Sequence, residues 1–119
     1  ARIGAAKGLP GWLKQKDLDY VVNQFEKAGF RGGVNYYRNI ERNWEITEDL
    51  EDFAIKVPTL FLAGSQDMVI RGATKEMLQS SMEKSIPNLQ QVILLPNIGH
   101  WVQQEAPEET NQALLNFLQ

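Results

Sequence analysis

The sequence predicts an α/β protein built on parallel strands, and three observations carry that prediction. Two apolar runs, KVPTLFLAG and LQQVILLP, are continuous rather than alternating, as strands covered on both faces are. A helical stretch, RGATKEMLQSSMEKSI, separates them and a second helix follows, giving the order β-α-β-α. Everything before the first run reads as loop and helix. Two parallel strands do not make a covered sheet alone, so this half is expected to be the end of a larger α/β domain with two helices placed beside it.

Taken in order, residues 1–13 are rich in glycine and small side chains and read as loop. From about Lys16 to Ala28, Leu18, Val21, Val22 and Phe25 form one apolar stripe at helical spacing. Gly29 is the expected stop, since glycine takes left-handed dihedrals without penalty. A second helix is expected from near Gly33, with Val34, Tyr37, Ile40, Glu41 and Trp44 on one face. The acidic segment EITEDLEDFA reads equally as loop or short helix. In the first strand, Pro58 stands at the opening, where a missing donor is tolerated, and Gly64 closes it. Ala73, Met77, Leu78 and Met82 form the stripe of the next helix. Pro107 opens the last one, with Glu108 and Glu109 in the first turn, where acids favour the positive end of the dipole. Thr110, Leu114, Phe117 and Leu118 are its expected buried side.

Composition narrows the function. The 119 residues have the length of one ordinary domain, long enough to bury roughly two-thirds of the unfolded surface. A 43% apolar and 23% charged composition is that of a soluble globular protein. The net charge of −3 comes from mixed signs spread along the chain, which leaves no footprint for nucleic acid. There is no cysteine, so disulfides, thiolate catalysis and cysteine metal sites are excluded, in keeping with a reducing compartment. With one histidine and scattered acids, no metal or other cofactor is expected. No run approaches the roughly 20 apolar residues of a membrane span, and ARIGAAKGLPGW has no signal-peptide core. A cytoplasmic location is expected.

Open α/β sheets carry their working residues outside the carboxyl ends of the strands. Two polar loops fall there, GSQDMV and PNIGHW, with Asp67 in one and the single histidine, His100, in the other. Taken singly, an Asp after Gly-Ser is a turn residue and a lone His is structural. At the ends of two neighbouring strands they make the back half of a nucleophile–base–acid triad: the carboxylate fixes the tautomer, and the other ring nitrogen accepts a proton. Tyr37 by itself reads as core or interface. Met68, Val69 and Trp101 flank the loops, as site lining or as core.

The pairing of LFLAGSQD with PNIGHW and a Pro-started terminal helix resembles the C-terminal end of the α/β-hydrolase fold. RGGVNYYRNIERNW resembles the cap-domain segment of the soluble type of epoxide hydrolase. The likeness runs from about Leu13 onward. It implies that residues 1–50 are the C-terminal part of a helical cap, and that residues 51–119 are the last two strand–helix units of the core. It also implies roles: Tyr37, in Tyr37-Arg38-Asn39, donates a hydrogen bond to the epoxide oxygen; Asp67 is the charge-relay acid; His100 is the water-activating base. Tyr36 is the rival to Tyr37, about 100° round the helix. The implied chemistry is epoxide and water to vicinal diol through an aspartyl ester, a detoxification type of hydrolysis with a small-molecule epoxide as substrate.

The aspartate nucleophile of that family stands on a sharp strand–helix turn with small residues around it, and nothing here matches it. The His-Gly-X-Pro motif and a second cap tyrosine are absent too. Relative to that fold the sequence starts inside the cap, so it is expected to be a fragment, one piece of a cleaved protein, or part of a longer chain. The missing N-terminal half, or another chain, would supply the nucleophile, and these 119 residues alone are expected to be inactive. A dehalogenase of the same fold is the alternative enzyme; it binds halide instead of protonating an alkoxide, so the cap tyrosine discriminates. A serine hydrolase of this fold follows, and a non-catalytic hydrolase-like interaction module is the reading from another class.

Overall fold

The computed structural model describes residues 7–50 and 53–119. The first six residues of the expected N-terminal loop, and Glu51 and Asp52 of the acidic segment, lie outside the described residues. Two compact units divide between Asp49 and Leu50.

In the first unit, residues 7–14 are irregular, with a turn closed by the Leu13 N–H on the Pro10 carbonyl at 3.0 Å. Helix α1 (Gln15–Ala28) follows and stops where expected, at Gly29 with φ 68°, whose N–H returns to the Phe25 carbonyl at 2.7 Å. Phe25 stacks on Phe30 with ring centroids 4.6 Å apart. The expected second helix starts two residues earlier than Gly33 and is divided into α2 (Arg31–Arg38) and α3 (Ile40–Ile46). Asn39 divides it. Its side-chain Nδ2 donates to the Asn35 carbonyl at 3.0 Å, the same oxygen its own N–H uses, and such side-chain competition loosens the helical ladder locally. Within the acidic segment, Glu45 and Ile46 end α3 and Glu48–Leu50 form a 3₁₀ turn. No residue of α1, α2 or α3 is buried, and the anticipated stripe of Val34, Tyr37, Ile40 and Trp44 is exposed.

The second unit holds β1 (Thr59–Gly64) and β2 (Leu89–Leu95), paired in parallel from Leu60 opposite Gln91 to Gly64 opposite Leu95. Both strands arise from the apolar runs that predicted them. Helix α4 (Lys75–Met82) crosses between them. It begins later than the stripe suggested: the Thr74 hydroxyl accepts the Met77 N–H at 3.2 Å, which makes Thr74 the cap and leaves Ala73 outside. Leu78 is buried and Met82 half-buried, while Met77, 60% exposed, faces solvent.

After β2 comes a four-residue helix, α5 (Val102–Glu105), that the sequence did not announce. Pro107 ends it, because the proline ring disfavours helical dihedrals at the residue before; Ala106 sits at φ −142°, ψ 64°. Pro107 then opens α6 (Pro107–Phe117) as expected. Its inward face keeps Thr110 and Phe117 of the expected side but not the two leucines. Thr110 and Ala113 are buried and Phe117 half-buried, whereas Leu114 and Leu118 point outward. The Thr110 hydroxyl donates to the Val102 carbonyl at 3.0 Å and so is satisfied where it is buried.

Leu95, Val102 and Ala106 form the buried centre, with Leu62, Ile93 and Ile98 packed against them. Burying a leucine or valine this well contributes about 2 kcal/mol each, so the core clamps the carboxyl end of β2 to the loop and helix that follow. Among the described residues, no helix is long and apolar enough to cross a membrane.

Candidate active site

Both loops at the carboxyl ends of the strands are held by backbone bonds to one another. The ladder continues past the sheet: Ser65 N–H donates to the Leu95 carbonyl at 2.9 Å and Gln66 N–H to the Ile98 carbonyl at 2.8 Å. The Ser65 hydroxyl accepts the Asn97 N–H at 2.9 Å. Asn97 takes a left-handed φ of 60°, which asparagine tolerates better than most residues, and so turns the chain back over β1. Gly64 allows the approach. A Cβ there would collide with the carbonyl oxygens of Ile98 and Gly99.

These ties set Asp67 against His100. The Asp67 Oδ1 accepts the Val69 N–H at 2.9 Å, closing a turn within its own loop. The other oxygen, Oδ2, lies 2.9 Å from His100 Nδ1. The turn role and the pairing role, weighed as rivals from sequence, coexist on one carboxylate. The Val69 N–H first, and His100 second, hold the Asp67 carboxyl below its ordinary value of 3.8. An ionised carboxylate only accepts, so the proton between them belongs to Nδ1, the tautomer whose lone pair lies on Nε2. The His100 side chain is 55% exposed and that of Asp67 only 11%, the arrangement of a sheltered acid behind an accessible base.

An open depression of about 400 Å³ lies over the pair, walled by Phe61, Leu62, Val69, Ile70 and Trp101. Val69 and Trp101 are therefore lining residues and not core, at 75% and 55% exposure. Met68 is outside the wall and 72% exposed. Trp101 also meets the imidazole edge-on, with ring centroids 5.2 Å apart. Tyr37 stands in the first unit, on α2, with the Tyr36 ring edge-on at 5.7 Å; both phenols are exposed. Among the described residues, no group of three or more acids or histidines could hold a metal.

Over 117 residues, 98% of the chain, the sequence is 41% identical to epoxide hydrolase A of Mycobacterium tuberculosis. The chain's structure matches that of epoxide hydrolase VrEH1 from Vigna radiata with a TM-score of 0.86, 33% identity and 96% of this chain covered. It also matches that of epoxide hydrolase A from Mycobacterium thermoresistibile, at 0.78, 44% and 95%. The chain belongs to the epoxide hydrolase family. The match falls on the C-terminal part of longer relatives and spans 35% of the M. tuberculosis protein, 36% of the Vigna protein and 34% of the M. thermoresistibile protein. No family model matches the chain.

In this epoxide hydrolase segment, one residue near the pair escaped the sequence. Glu105 accepts the Gly99 N–H on Oε2 at 2.8 Å and the Trp101 N–H on Oε1 at 3.0 Å. An acid in the undistinguished run QQEAP gives no local signal of that, because the bonds depend on the unannounced α5. Asp67 has a consequence for acid stability that is open to measurement. Its carboxyl is depressed in the folded state, so its contribution is present above the ordinary carboxylate range and is lost as pH falls through the depressed value. Asp67→Asn should therefore lower the unfolding free energy at neutral pH, with a difference that shrinks in acid. Urea denaturation at a series of pH values checks this. A difference independent of pH would contradict it.

Proposed function

We propose that the chain supplies the base, the orienting acid and one electrophilic donor of an epoxide hydrolase acting on small-molecule epoxides. The observation that carries this reading is the 2.9 Å contact of Asp67 Oδ2 with His100 Nδ1, at the carboxyl ends of paired parallel strands. The family membership adds weight to it. Residues 1–50 would be the end of a helical cap and residues 51–119 the last two strand–helix units of the core. The chemistry runs in two steps. An aspartate from outside these 119 residues attacks a ring carbon, and the carbon–oxygen bond opens to an ester and an alkoxide. The Tyr37 phenol O–H donates to that oxygen as its charge develops. A water then attacks the ester carbonyl while His100 Nε2 takes one of its protons; the ester carbon–oxygen bond breaks, the two protons of that water end on the two alcohol oxygens, and the diol leaves with the carboxylate and the neutral imidazole restored. Asp67 stabilises the imidazolium formed on the way. A cytoplasmic location suits this chemistry.

The test uses an aryl epoxide as probe and diol as the product measured. The 119 residues alone should form none. The whole hydrolase that includes them should form diol, and His100→Ala should stop its turnover after one ester has formed. Diol formation by the isolated chain, undiminished by His100→Ala, would sink the proposal.

A further inference from the structure

We propose that Glu105 is a positioning residue, whose carboxylate holds the backbone on both sides of His100 and so aims the imidazole at Asp67. One oxygen takes the N–H of the residue before the histidine and the other takes the N–H of the residue after it, at 2.8 and 3.0 Å. Hydrogen bonds to an ionised acceptor are about twice as strong as neutral ones, and here two of them bracket a single residue. The carboxylate lies over Gly99: a Cβ on that residue would come within 2.8 Å of Oε1 and 3.1 Å of Oε2. Behind it, Glu105 ends α5, which Val102 and Ala106 anchor in the core. The loop bearing the base is thus tied to the core through one side chain.

A simpler role must be separated from this one. Trp101 is the N-cap of α5, and a glutamate that accepts the cap residue's N–H stabilises a helix start. Capping accounts for the Trp101 bond and leaves the Gly99 bond without a purpose. Positioning requires both.

The catalytic meaning rests on His100 being the base, but the test reads geometry without substrate, so a failure to form diol leaves this inference untouched and the reverse also holds. The chain's single histidine makes its ring signals unambiguous in proton and nitrogen NMR. In Glu105→Gln only one accepting oxygen remains. Amide exchange at Gly99 should then accelerate about tenfold or more, and the Nδ1–H signal that reports the bond to Asp67 should broaden into solvent exchange. Protection along α6 should stay unchanged. Gly99→Ala leaves Glu105 in place but displaces its carboxylate, and should give the same signature. Changes confined to Trp101 would reduce Glu105 to a helix cap and overturn the proposal. So would an unaltered Nδ1–H signal in both variants, or a loss of α6 protection equal to that of the loop.

Discussion

Gly64→Ala is expected to destabilise the second unit by about 3 kcal/mol or more, at the upper end of what overpacking costs. The obstacle to the new methyl is main chain, the Ile98 and Gly99 carbonyl oxygens, and no flexible side chain can swing aside to admit it. Relief would require the 96–100 loop to lift off β1. That would stretch the Gln66 bond to Ile98 and the Ser65 bond to Asn97, and would carry His100 away from Asp67. Gly64 is thus a stability residue and a site residue at once. Urea unfolding monitored by tryptophan fluorescence checks the expectation, because the midpoint should fall with the slope unchanged. A Gly64→Ala protein as stable as the parent would mean that the loop approaches β1 less closely than the structure has it. Gly99→Ala should cost less, since its clash is with the far end of the flexible Glu105 side chain and not with main chain.

The second large effect is kinetic. On the proposed mechanism, Asp67→Asn in the whole hydrolase should cut steady-state diol formation by about 10⁴, as expected when the orienting acid of a triad becomes an amide. The direction follows from the hydrogen bonds of Asp67. Its Oδ1 accepts the Val69 N–H, so the amide oxygen of an asparagine takes that place and the amide nitrogen falls where Oδ2 faces the ring. A donor then meets Nδ1. The imidazole answers by moving its proton to Nε2, the nitrogen that, on the proposed mechanism, receives one from water. Ester formation, which does not need the base, should survive, so a covalent intermediate should accumulate and be visible by intact mass. Equal loss of both steps would place Asp67 in binding or folding and not behind the histidine.

What could be read from sequence, and what could not, divides along physical lines. Long apolar runs bounded by Pro58, Gly64 and Pro96 are strands almost by exclusion, and parallel strands dictate which of their ends bears the loops. Asp67 and His100 could accordingly be assigned to one edge before any coordinates. Helix faces were harder. In α4, Leu78 and Met82 turn inward as expected, but the Thr74 cap leaves Ala73 outside and Met77 faces solvent; in α6, Thr110 and Phe117 turn inward, and Ala113 is buried where Leu114 was expected. Asn39 broke an expected helix through a side-chain bond that periodicity does not register. Helix α5 is too short to show a period at all, and Glu105, whose place depends on it, was hidden with it.

The Asp67–His100 contact joins residues 33 apart in the chain, and the Ser65–Asn97 bond joins residues 32 apart. Closing a loop of that length costs about 3 kcal/mol of chain entropy, and no local contact within either loop offsets it. Only the paired strands, with the α4 crossover already in place, can do so. During folding, then, the acid–base pair cannot come before the sheet it hangs from; helices α1 to α3 and α6, with their short-range contacts, can form on a faster clock. A partly folded chain would have most of its helical circular dichroism and no contact between Asp67 and His100.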